Sequence, residues 1–324
     1  MSTELILPDR SAGTEIGPLA EIADRASEFI QQSKAKNTIR AYRADWEHFS
    51  DWCQVHGQTA LPASPDTVAL YLADISTTHK PGTLTRRISA ISQAHQIAGM
   101  ESPTGASKVR LVMAGIRRTK GTAQNAKTPV LVDDLRKMVD RLPDGMLGIR
   151  DRALLLIGFA GGFRRSELVG LDRDAVEIPK DGIVVTIRHS KTDQEGQGRK
   201  IGIPYGSNPV TCPVRAFQAW LEASGILEGP VFRPVTRHGR ILAQRLSTNA
   251  VAEIVKRYAA AVGLDATKFA AHSLRSGLVT SADMGGASEK SIMNQTGHRS
   301  TVMVRKYIRD GSLFRSNAAA VVGL

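Results

Sequence analysis

Along NTIRAYRADWEHFSDWCQVHG, residues 37–57, the apolar side chains of Ile39, Tyr42, Trp46, Phe49 and Trp52 recur at steps of three and four. That spacing lines one face of a helix, and Gly57 is the residue type that ends one. Three further helices are predicted before residue 120. SPDTVALYLADI begins with a capping Ser64 and with Pro65 in its first turn, a normal helix start. KPGTLTRRISAISQAHQIAG turns Leu84, Ile88, Ile91 and Ala94 inward and Arg86 and Arg87 outward, and SKVRLVMAGIRR is the fourth. Before them, residues 1–20 read as a loose tail, and the helical pattern runs from about Glu21 to Arg118.

The periodicity then lapses. RTKGTAQNAKTP is small, polar and basic, which marks residues 119–128 as an exposed linker between domains spanning 21–118 and 129–324. The second domain opens with two helical stretches, LVDDLRKMVDRL and GIRDRALLLIGFAGG. GIVVTIRHSKT and RKIGIPYG are β-like runs joined by the polar tip DQEGQG, so a hairpin is predicted there. The remainder reads as helical to the end. The predicted fold class is mainly α with a small antiparallel β-sheet, in two domains. The terminal GSLFRSNAAAVVGL is too short to hold a helix alone and needs a groove for Leu313, Phe314, Val321, Val322 and Leu324.

Charge narrows the partner. A formal net charge of +12 on 324 residues with 42% hydrophobic content describes a globular protein for a polyanion, most simply nucleic acid. The longest apolar run, ALLLIGFAGGF, is far too short to span a bilayer, and no basic amphipathic helix suggests a membrane partner. The N-terminal MSTELILPDRSAG lacks the features of a signal peptide, and Cys53 and Cys212 have no metal-ligand spacing around them. The expectation is a cytoplasmic protein with no metal and no cofactor.

With a phosphate as substrate, four stretches stand out. GGFRRSELVGL places Arg164 after a Gly-Gly turn at a helix start, three residues before Glu167. HSKT sets Lys191 at the end of a strand beside the hairpin tip, and AAHSLRSG spaces His272 and Arg275 onto one helix face. TGHRSTVMVRKY puts His298 in a turn and Tyr307 nine residues on, among Arg305, Lys306 and Arg309. Singly, each has an ordinary alternative: a salt bridge, a surface lysine, a solvated helix face, a turn, a packed tyrosine. In this order and spacing they resemble the tyrosine recombinase (phage integrase) family, its Cre-like branch in particular. NTIRAYRADWEHF, WCQVHGQTALPASPDTVALYL and IMNQTGHRSTVMVRKYIRD extend the likeness from about Glu21 to the C-terminus. Three positions depart from the family's habit. Arg165 stands where an aliphatic residue is usual, Ser276 where histidine is frequent, and His298 where the Cre-like branch carries tryptophan.

The resemblance implies a nucleophilic Tyr307, forked phosphate contacts from Arg164 and Arg275, and a further donor in His298. It makes Lys191 the acid for the leaving oxygen and His272 the proton acceptor, oriented by Glu167. The residue types suit these tasks: a phenol near pKa 10 needs a base or a cationic field, and a guanidinium forks where lysine cannot. Two-metal nuclease chemistry would need clustered carboxylates, and Asp133, Asp134, Asp193 and Glu195 form no such pattern. The resemblance further implies a C-shaped clamp on DNA, acting as a homo-tetramer on paired inverted-repeat sites. Arg40, Arg43, Arg86, Arg87, Arg117, Arg118 and Lys120 are then phosphate contacts. LSTNAVAEIV resembles the helix laid in the major groove, bringing Thr248 and Asn249 to base edges, with a capped surface helix as the alternative. A type IB topoisomerase and an inactive DNA-binding accessory or repressor protein are the rival readings.

Overall fold

A computed structural model describes residues 35–123, 126–188 and 198–311. The chain divides into two compact units, 1–125 and 126–324. No helix among the described residues is long and apolar enough to cross a membrane.

The first unit is built of α1 (Lys36–Val55), α2 (Pro65–Ile75), α3 (Pro81–Ile97) and α4 (Ser107–Lys120). Ser64 caps α2 by accepting the Thr67 N–H at 3.0 Å, as its sequence position requires. Phe49, Tyr71, Leu72, Leu84 and Ile91 are fully buried and form the core where these helices meet. The apolar face of α3 is as expected, but its polar face is not. Arg87 is 7% exposed, with Nη1 donating to Tyr71 Oη at 2.8 Å and to His48 Nδ1 at 2.9 Å. Its Nε lies 3.6 Å from Asp45 Oδ1, so Arg87 is an interior cation rather than an outward phosphate contact. Helix α4 runs to Lys120 and stops at Gly121, so Arg117, Arg118 and Lys120 form its last turn instead of entering a linker.

The second unit packs α5 (Val132–Asp140), α6 (Met146–Ala160), α7 (Arg165–Val169) and α8 (Pro213–Ser224) with α9 (Thr248–Ala261) and α10 (His272–Met284). Helices α11 (Glu289–Thr296) and α12 (Thr301–Gly311) follow. Its sheet is β1 (Val176–Glu177), β2 (Gly182–Ile187) and β3 (Arg199–Pro204), antiparallel in that order. Ile183 pairs with Ile203 and Val185 with Ile201, and this buried face closes on the helical core. β1 escaped the sequence reading because two residues carry no alternation to detect. The run between α8 and α9 is also not helical as expected. Gly229, Pro230 and Pro234 break it, and it folds as irregular chain with an antiparallel bridge between Val235 and Ile241. The hairpin tip with Lys191 and the terminal apolar segment fall outside the described residues.

Two features of this unit position the site. Helix α6 is buried along Leu154–Gly158 and ends in Gly161–Gly162, which turns the chain toward α7. Gly162 has φ +57, and a Cβ there would lie 2.9 Å from Thr296 Cγ2. Helix α11 ends at Gly297, left-handed with φ +68, which turns His298 back toward α10.

Candidate active site

Arg164 precedes α7, and its backbone N–H donates to Glu167 Oε2 at 2.9 Å, closing the first turn of the helix. The same carboxylate accepts Arg164 Nη1 at 2.6 Å and Arg199 Nη2 at 3.4 Å. Glu167 therefore orients two arginines. The expected contact with His272 is not what it makes; a side chain 2% exposed with two guanidiniums beside it is held by charge. Arg165, by contrast, is exposed, so Arg164 is the arginine of the pair that belongs to this grouping.

Arg275 is 2% exposed on α10 and is held in place by two backbone carbonyls. Its Nη1 donates to Gly162 O and to Thr296 O, each at 2.6 Å, which ties α10 to the ends of α6 and α11. Its Nη2 lies 3.0 Å from His298 Nε2. A guanidinium only donates, so Nε2 accepts here. His298 was expected as a third donor; in this geometry it is an acceptor. Burial, and then Arg275 and Arg164, push its pKa down to about 3. Arg275 itself is lowered to about 10, first by burial and then by Arg164, with Glu167 opposing.

His272 and Tyr307 meet across α10 and α12, with Nε2 and Oη 2.7 Å apart. His272, though exposed, lies below the ordinary imidazole range, first through desolvation among its neighbours and then through Arg275 and Arg164. It is neutral at pH 7, and in its Nδ1–H tautomer Nε2 accepts the Tyr307 hydroxyl proton. Burial raises the Tyr307 phenol, while Arg275 works against that. Among the described residues, Arg275 is the cation that lowers the phenol. Arg305 turns away and donates from Nε to Glu289 Oε1 at 3.1 Å.

The structure brings together Arg164, Glu167, His272, Arg275, His298 and Tyr307. Lys191 lies outside the described residues. Arg199 was not anticipated: its Nη1 donates to Gln295 O at 3.0 Å, and its Nε is buried with no partner among the described residues. An arginine opening a strand ordinarily faces solvent, and nothing local links it to a glutamate 32 positions earlier. Of the expected DNA contacts, Arg40, Arg43, Arg117, Arg118 and Lys120 are exposed. Arg86 is half exposed, and its Nε and Nη2 both donate to Asp45, at 2.7 and 2.9 Å. Asn249 is exposed and Thr248 partly buried on the first turn of α9, where Ser247 Oγ accepts the Ala250 N–H at 3.1 Å.

A mainly helical domain that gathers a tyrosine, two histidines and two arginines at one point has the architecture of a tyrosine-based DNA strand transferase. Comparison with known proteins agrees. The profile of the Phage integrase family matches residues 130–312, and that of the phage integrase N-terminal SAM-like domain matches residues 28–101. An integrase/recombinase XerD homolog of Selenomonas ruminantium is 44% identical over 298 residues, 91% of this chain and 87% of the relative. Tyrosine recombinase XerC of Myxococcus xanthus is 26% identical over 301 residues, 91% of this chain and 93% of the relative. The chain belongs to the phage integrase family, the tyrosine site-specific recombinases. In fold it is similar to the Tn1549 transposon integrase in complex with transposon right-end DNA (TM-score 0.61, 14% identity, 89% of this chain and 95% of that one). It is likewise similar to a lambda integrase dimer bound to a core site (TM-score 0.56, 17% identity, 92% and 96%).

Proposed function

We propose that this recombinase cuts and rejoins DNA through a 3′-phosphotyrosine on Tyr307, without metal or ATP. The observation that supports this most is the 2.7 Å contact of Tyr307 Oη with His272 Nε2, beside the buried Arg275. His272 takes the phenol proton as the oxygen attacks phosphorus. Arg275 and Arg164 hold the non-bridging oxygens, where negative charge grows toward the transition state. Lys191 protonates the departing 5′ oxygen. The aryl phosphate keeps the energy of the broken bond, so a 5′-hydroxyl from a partner strand reverses the step.

On this reading the substrate is duplex DNA carrying paired inverted repeats, and four copies assemble on two sites. Both domains bind the duplex, with Arg40, Arg43 and the last turn of α4 on phosphates. The relatives and structural neighbours that are recombinases or DNA complexes support the substrate class. Half-sites selected from a random duplex library with the Tyr307→Phe protein would define the target. Two selected sites in direct repeat on a supercoiled plasmid then test the reaction. Resolution into two circles in excess EDTA is expected. Relaxation without exchange would favour a topoisomerase, and binding without either would favour an accessory protein.

A further inference from the structure

Thr296, the last residue of α11, is fully buried and touches two groups of the site at once. Its carbonyl accepts Arg275 Nη1 at 2.6 Å, and its hydroxyl lies 2.7 Å from His298 Nδ1 and 2.6 Å from Ile292 O. Donor and acceptor roles along this chain have a single solution. Arg275 Nη2 only donates, so His298 Nε2 accepts. The neutral ring then carries its proton on Nδ1 and donates it to Thr296 Oγ1. The Ile292 carbonyl only accepts, so it receives the one hydroxyl proton.

We infer that Thr296 is a positioning residue for strand cleavage: its hydroxyl fixes His298 as the Nδ1–H tautomer with Nε2 turned to Arg275. The inference rests on the phosphoryl-transfer reading above. Held this way, Nε2 remains the acceptor for Arg275 Nη2 and helps fix that guanidinium, one of the two proposed to hold the phosphate. Leucine or valine at position 296 would leave the Nδ1 edge buried without a partner and free the ring to flip.

Imidazole ¹⁵N spectra of the full-length protein without DNA should show Nδ1 protonated and Nε2 bare for His298. Thr296→Val should mix the tautomers and bind a half-site normally. On a nicked duplex that traps the covalent adduct, its cleavage should fall roughly ten- to a hundred-fold, the usual cost of stranding a buried hydrogen-bonding group. Thr296→Ser, which keeps the hydroxyl, should restore both the spectrum and the rate. A wild-type spectrum with the proton on Nε2 overturns the inference, whether or not the variants fold. So does a serine variant as slow as the valine one, or a valine variant as fast as wild type. If the wild type forms no adduct on any selected site, the functional reading falls, while the spectrum still decides the tautomer.

Discussion

Glu167→Gln keeps the volume of a side chain that is 2% exposed and removes its charge. The carboxylate now accepts three donors: Arg164 Nη1 at 2.6 Å, Arg164 N–H at 2.9 Å and Arg199 Nη2 at 3.4 Å. An amide offers one accepting oxygen and puts an NH₂ where the other stood, so one of these donors must face a donor. Removing one partner of a buried ion pair costs about 3–5 kcal/mol, and the retained amide bond returns about 1. The net loss is on the order of 2–4 kcal/mol, which in a domain of this size lowers Tm by roughly 5–15 °C. Calorimetry on the full chain should show the loss in the transition of the catalytic unit alone. Bound half-site duplex should return part of it, because a phosphate brings negative charge back to the arginines. Adduct formation on a nicked duplex should still be slow, since Arg164 has lost its guide. A variant that melts within about 1 °C of wild type and cleaves normally would refute the claim that Glu167 holds these arginines.

Lys191→Ala should lose most cleavage on ordinary DNA and recover it on a substrate with a 5′-bridging sulfur, because a thiolate leaves without a proton. Equal defects on both substrates would give Lys191 a binding role instead. His298 is held near 3 against an ordinary 6.5, so the unfolded chain takes up that proton first. Its contribution to stability is whole above pH 6.5 and is lost as pH falls toward 3, by up to about 1.4 kcal/mol per pH unit. Urea melts of His298→Asn should show a shallower acid slope than wild type, and an unchanged slope would contradict the assignment. Asn249 should read an adenine through its N6/N7 edge if α9 enters the major groove, so Asn249→Ala should relax preference at one base pair. An unchanged profile over single-base variants would return it to the surface.

The chain disclosed its site better than its interior. Arg164, His272, Arg275, His298 and Tyr307 each sit at a local mark, a Gly-Gly turn, a three-residue helix step or a Gly-His turn, and the order and spacing of those marks made them legible together. Arg87 defeated the reading because helical periodicity separates polar from apolar but not exposed from buried. Asp45, 42 positions earlier on another helix, is what makes an interior cation tolerable there. Arg199 was hidden for the same reason, since its meaning lies in Glu167 and Gln295. The direction of Arg305 depended on Glu289, one helix back, which no local pattern announces. What the sequence withheld is pairing between charges far apart in the chain, which no pattern of hydrophobic positions encodes.

The central claim is that Tyr307 is the nucleophile, and the residue that carries the trapped DNA tests it directly. A nicked duplex of the selected site, incubated with the full-length protein in excess EDTA, loses the short fragment past the nick and strands the covalent complex. Peptide mapping of that complex by mass spectrometry should place a 3′-linked phosphodiester on the Tyr307 peptide. Tyr307→Phe, lacking only the hydroxyl, should bind the same duplex and yield no adduct. DNA attached through its 5′ end, attached to another residue, or still trapped by the phenylalanine variant would contradict the account.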